Sequence, residues 1–242
     1  MLKGLVGFEK DKVVHSSKMV VPFLVFFLMV MIENSAAGPK KILAQYSILS
    51  LAIFMVMISV GLIYNDIKTP MIDQAVIVKL KNKGHYYLAK VVVIIIIGLI
   101  LTAIGLGIPN FMNLANGGHS FVRPVVLMDN VSGFFLLFFA AVCGGISGLT
   151  FNRKIIARRG NAILSVTLLG LISVIKVALV RDVPFLKYVT WMLPPVSDIS
   201  VSYSKENWFD FSNVGLLMLW LVAYIMVITF LYIVSMKNKG FD

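Results

Sequence analysis

The sequence predicts an all-α polytopic membrane protein with six transmembrane helices, and three observations predict it. Six long apolar runs cover 13–32, 42–64, 88–108, 131–151, 162–180 and 214–234, each close to the ~20 residues that cross a hydrocarbon core as a helix. Only 14% of residues are charged and the mean hydropathy is +0.93, so the runs are apolar all round instead of along one face. Positive charge between the runs is lopsided. Six crossings put both termini on one side, and that side carries 15 of the 22 Lys and Arg residues; the opposite loops carry six, and Lys176 lies inside the fifth run. Such an excess places both termini in the cytoplasm of a multi-pass cell-membrane protein, with 1–242 as one transmembrane domain.

The same charge excludes some functions. Its first role is topology and contact with anionic headgroups. The cytoplasmic loops are too short to build a basic surface with stacking groups, so nucleic acid is not an expected partner. The single cysteine, Cys143, rules out an intrachain disulfide and a thiolate metal cluster, and reads as a small buried hydrophobe. Met19–Ile32 followed by Asn34-Ser35 has the length of a signal peptide. It reads instead as the first span, extended through 13–18 with Lys18 snorkelling to the headgroups.

Before that span, Leu2, Leu5, Val6 and Val13 share one helical face that Glu9 interrupts, the pattern of a short interfacial helix. Gly38-Pro39 then turns a tight outer hairpin into the second span. The cytoplasmic link after span two predicts a helix over 70–80. Thr69 supplies a hydroxyl cap and Pro70 a first residue that needs no N–H. Ile72, Val76 and Leu80 recur four apart, and Lys79, Lys81 and Lys83 gather at the end, before Gly84. The apolar stripe is expected to rest on lipid or on the protein's own helices, or to dock in a groove on a partner protein.

Ala140, Gly144 and Gly148 place a small-residue strip along span four, suited to close packing within the bundle or across a dimer. Gly145-Ile146-Ser147-Gly148 has the form of an intramembrane serine protease nucleophile, but that chemistry needs a histidine base on another span. His15, His85 and His119 all lie in tails or loops, so the protease reading fails. Lys176 is four residues from the end of span five, where its stem reaches the outer interface; snorkelling is the expected behaviour, and lining a pathway between protomers the alternative. The outer loop 181–213 carries Trp191, Trp208 and Phe209 among other aromatics. These read as an interfacial belt or as an outer gate for an amphipathic substrate. No phosphate-cradling loop occurs in the sequence, and no paired catalytic carboxylates or metal-ligand spacing in the spans, so an enzyme is not expected and no metal site is assigned.

The order of these features resembles the membrane subunits of type-2 ABC exporters. The stretch Tyr64-Asn65-Asp66 through Lys83-Gly84-His85-Tyr86-Tyr87-Leu88-Ala89-Lys90 carries most of the likeness: an acidic residue after span two, a cytoplasmic coupling helix, a polar turn and a lysine opening span three. The family more often has glutamate where Asp66 stands. The resemblance implies a permease dimer, of two copies or of this chain and a sister, coupled to separate cytoplasmic ATPase subunits that bind ATP and Mg. Coupling would fall to Asp66, Thr69, Pro70, Ile72, Asp73, Val76, Leu80 and Lys83, with a second contact at Arg153 and Arg158. Subunits of this kind that stand alone with six spans often resemble exporters of bacteriocins, lantibiotics or cytolytic peptides, or of lipid-like molecules; of these an amphipathic peptide, of the phenol-soluble modulin type, is the expected substrate. A membrane scaffold or sensor that binds a cytoplasmic partner through the 70–80 helix is the alternative.

Overall fold

The protein is described by a computed structural model that covers residues 2–35, 38–67, 76, 80, 83–151, 156, 158–209 and 211–238. The helices are α1 (Leu2–Val14), α2 (Val20–Ser35), α3 (Ile42–Asp66), α4 (Gly84–Ala115), α5 (Leu127–Thr150), α6 (Arg159–Asp182), the single turn α7 (Lys187–Thr190), α8 (Val196–Lys205) and α9 (Phe211–Asn238). Among the described residues six helical segments have the length and composition of membrane spans. The chain is thus an all-α, multi-pass membrane protein.

All six spans differ from the sequence reading by a few residues at one end or both, and for two of them the structure shows why. The first begins at Ser17, not Val13, because the chain breaks after α1: Ser16 is extended (φ −94°, ψ 111°) and a short 3-10 turn, Ser17–Met19, leads into α2. Val13 belongs to α1, and exposed Lys18 sits in the turn. The third span runs from Gly84 to Ala115, about 48 Å at 1.5 Å per residue, well beyond the 88–108 of its apolar core. It continues through Pro109, whose ring removes one helical N–H. Next to that gap, Asn110 Nδ2 donates to the Leu106 carbonyl at 2.8 Å, one residue along from the Gly105 carbonyl that loses its helical donor. The helix ends only at Gly117 and Gly118, both left-handed (φ 64° and 85°). Gly118 N–H donates to Asn113 at 2.8 Å and Gly117 N–H to Leu114 at 3.1 Å, the paired bonds of a Schellman cap.

The centre of the bundle is the seam between α3 and α5. A Cβ on Gly148 would lie 2.9 Å from Gly61 Cα, and one on Gly144 would strike the Phe54 carbonyl. Hydrogen at these positions lets the two backbones touch. Ala140 is buried on the same helix. At the end nearer the link, Asn65 Nδ2 donates to the Leu149 carbonyl at 3.0 Å. On the opposite face the backbones of 40 and 120–122 are clasped, with Lys40 N–H on Ser120 (3.0 Å) and Val122 N–H on Lys40 (3.0 Å). That ties the first hairpin to the loop between spans three and four.

Candidate functional site

Two regions hold the residues singled out in the sequence, one on each side of the bundle. On the Lys/Arg-rich side, Asp66 is the last residue of α3 and Lys83 is the exposed residue before α4. Thr69, Pro70, Ile72 and Asp73 lie outside the described residues, as does most of the expected 70–80 helix. Val76, in helical conformation, and Leu80 are described. Both are half-buried and pack against the chain's own core, so these two members of the apolar stripe are covered at least in part from within. Arg158 is exposed at the start of α6, where its carbonyl accepts from Ala162 N–H at 3.1 Å; Arg153 lies outside the described residues.

The opposite side is organised around α8. Pro195 precedes the helix and Asp198 falls in its first turn, a start signal made of a proline and an acid near the positive helix end. Its inward face, Val196, Ser197, Ile199, Ser200 and Tyr203, is buried, and much of that face is polar. Ser47 Oγ of α3 donates to the Ser200 carbonyl at 2.8 Å, and Ser200 Oγ donates back to the Ser47 carbonyl at 2.9 Å. Ser132 Oγ of α5 and the Tyr203 hydroxyl lie 2.7 Å apart. Burial pushes the Tyr203 phenol well above its ordinary value, so that hydroxyl keeps its proton. Ser197 Oγ is buried with no hydrogen-bond partner among the described residues.

Lys176 reaches toward α8, the side to which snorkelling would carry its stem, and ends there on a carboxylate. Its residue is 8% exposed, and its ammonium meets Asp198 Oδ2 at 2.6 Å. An ammonium this far from water is held by a partner charge, and the partner comes from the outer helix. Trp208 is 59% exposed, yet its ring lies 3.9 Å beneath the Arg123 guanidinium. Arg123 forks onto Asp129 with two bonds of 2.7 Å, and Nε donates to the Asn207 carbonyl at 2.8 Å. Asp129 hydrogen-bonds the guanidinium and raises its already high pKa. The same carboxylate accepts from Val126 N–H at 3.0 Å and starts α5. Phe209 packs against Tyr203 with ring centroids 6.1 Å apart, whereas Trp191 is exposed. The structure therefore brings Lys176, Trp208 and Phe209 to elements tied around α8 and leaves Trp191 on the surface.

Sequence reasoning missed Asp198, Ser47 and Ser200, whose partners lie far away in the chain, and also Arg123 and Asp129, which pair across only six residues. It also read Glu9 as a break in an apolar face, whereas Glu9 is wholly buried beside Leu5 and Val13. Ser147 is buried in α5 and donates to the Cys143 carbonyl at 2.8 Å, an ordinary helical bond. Among the described residues no group of three His, Cys, Asp or Glu could hold a metal ion.

Compared with known proteins, the chain matches no family model, no curated protein and no solved structure.

Proposed function

We propose that this chain is the membrane subunit of an ATP-driven exporter, paired with a second copy or a sister chain and driven by separate cytoplasmic ATPase subunits. ATP and Mg belong to those subunits; this chain supplies the pathway. The observation that carries the reading is the seating of α8. A helix that merely rests on a bilayer turns its apolar residues inward. α8 turns in two serines and a tyrosine, and is held by Lys176, Ser47 and Ser132. A seat of that kind is sealed while its bonds are made and wettable when they open, which suits the exit of a path for an amphipathic molecule. The resemblance of 64–90 to type-2 exporter subunits supplies the drive, with movement entering between Asp66 and Lys83. The substrate class that fits is an amphipathic antimicrobial or cytolytic peptide, entering sideways from the membrane.

The test is purification from the native membrane in mild detergent. A stoichiometric ATPase, whose hydrolysis falls when the 67–83 link is altered, is the expected result. Recovery of a stable chain without an ATPase across several detergents would sink the reading and leave a scaffold or sensor.

A further inference from the structure

Leu5, Glu9 and Val13 stand one turn apart on α1, and all three are buried. The carboxylate at the centre of that face is 0% exposed, and both its oxygens are engaged. Oε1 meets the Lys12 ammonium at 3.0 Å, and Oε2 accepts from the Tyr64 hydroxyl at 2.7 Å. A buried carboxylate without such partners is among the most unfavourable groups a helix can carry. Without them it would draw its own helix, with Leu5 and Val13, toward water. The polar bonds therefore decide where α1 sits, and the apolar contacts follow.

The partners fix what α1 sits on. Tyr64 is two residues from the end of α3, Tyr86 and Tyr87 open α4, and Tyr232 belongs to the last turns of α9. Their rings interlock: Tyr86 meets Tyr87 edge-on at 5.4 Å, and Tyr87 meets Tyr232 edge-on at 6.1 Å. The Lys90 ammonium lies over Tyr64 at 5.4 Å and over Tyr86 at 5.0 Å. The end of α3 and the start of α4 are the two roots of the 67–83 link. Four helices are thus joined by one run of contacts that starts at the carboxylate and passes through Tyr64, Lys90, Tyr86 and Tyr87 to Tyr232.

We infer that Glu9 is a positioning residue: its bond to Tyr64 pins α1 across the roots of the 67–83 link and fixes their separation. The inference does not rest on the exporter reading, because it concerns the chain alone. The sequence pattern hides it, since one acid on an apolar stripe looks like an interruption.

The experiment is a distance measurement on the full chain in lipid nanodiscs. Spin labels go on cysteines at Ile67 and Lys83 in a Cys143→Ala background. The parent is expected to give one narrow distance distribution. Glu9→Ala and Tyr64→Phe are each expected to widen it at least twofold. Glu9→Gln, which keeps an acceptor for Tyr64, is expected to restore most of the narrowness. Tyr64→Phe leaves α1 untouched and carries the test if Glu9→Ala does not fold. Leu5→Ala weakens the apolar contact alone, and Tyr232→Phe removes a buried hydroxyl that makes no hydrogen bond among the described residues; both are expected to leave the distribution narrow. A Leu5→Ala distribution as wide as that of Glu9→Ala would mean that apolar packing holds α1, and the inference falls. Narrow distributions in both Glu9→Ala and Tyr64→Phe overturn it equally.

Discussion

The Lys176 ammonium lies 2.6 Å from Asp198 Oδ2, so a single ion pair joins the fifth span to the outer helix α8. The two partners differ in access to water: the lysine side chain is 11% exposed and the aspartate 31%. That asymmetry decides how the pair responds to substitution.

Asp198→Asn strands an ammonium that water hardly reaches, and is expected to cost about 2–4 kcal/mol. Lys176→Met leaves a carboxylate that can still be hydrated in part, and is expected to cost about 1–2 kcal/mol. The double variant recovers most of either loss. Thermal unfolding in detergent measures all three, and equal losses in the two single variants would contradict the burial of the lysine.

The α3–α5 seam sets a second expectation. Gly144→Ala or Gly148→Ala forces a methyl group against backbone that cannot swing away, with an expected loss of about 1–3 kcal/mol. Gly107 in α4 has nothing within 4 Å of a built Cβ. Gly107→Ala is therefore expected to be neutral or to gain up to about 1 kcal/mol from helix propensity. The same unfolding assay ranks them, and a Gly148→Ala protein as stable as Gly107→Ala would refute close backbone contact.

Arg123 ties three pieces of the outer face together. Arg123→Lys keeps the charge and loses the fork onto Asp129, with an expected cost of about 1–2 kcal/mol. Trp208→Ala removes only the stacked ring, for about 0.5–1 kcal/mol. If the proposed exporter releases substrate beside α8, Trp208→Ala and Phe209→Ala reduce export more than assembly. Assembly and export falling in parallel would return both residues to a structural role.

Sidedness is open to direct labelling. In a Cys143→Ala background, cysteines replacing Lys10, Lys83 or Arg158 are expected to react with a membrane-impermeant reagent only after cells are opened. Cysteines replacing Lys41 or Lys205 should react in intact cells. The reverse pattern would overturn the orientation drawn from the 15 basic residues of one face.

The spans were legible because a run of apolar residues long enough to cross a bilayer has few other uses. Their ends were not. The break after Val14 depends on the backbone at Ser16, and α4 outlasts its apolar run through Pro109 and Asn110 before the cap at Gly117-Gly118. That cap went unread, although Asn116-Gly117-Gly118 is a strong helix stop. Buried polar residues were the least legible class. Lys176 and Asp198 are 22 residues apart, and Ser47 and Ser200 are 153 apart, so nothing local marks either member as paired. Glu9 was visible only as an anomaly, because burial of an acid depends on a tyrosine 55 residues away.

The touching backbones of α3 and α5 have a mechanical consequence. Side chains that interdigitate can change rotamer and let two helices slide, whereas a seam of glycine against main chain has nothing to re-arrange. The pair behaves as a single stiff beam through the middle of the protein. Shape change is then left to the helices least embedded in the bundle, the spans at 17–35, 160–182 and 214–237, whose apolar 18-residue stretches are only 22%, 22% and 17% buried. Disulfide staples between α3 and α5 should accordingly leave any working cycle intact, while staples that fix the outer spans should stop it.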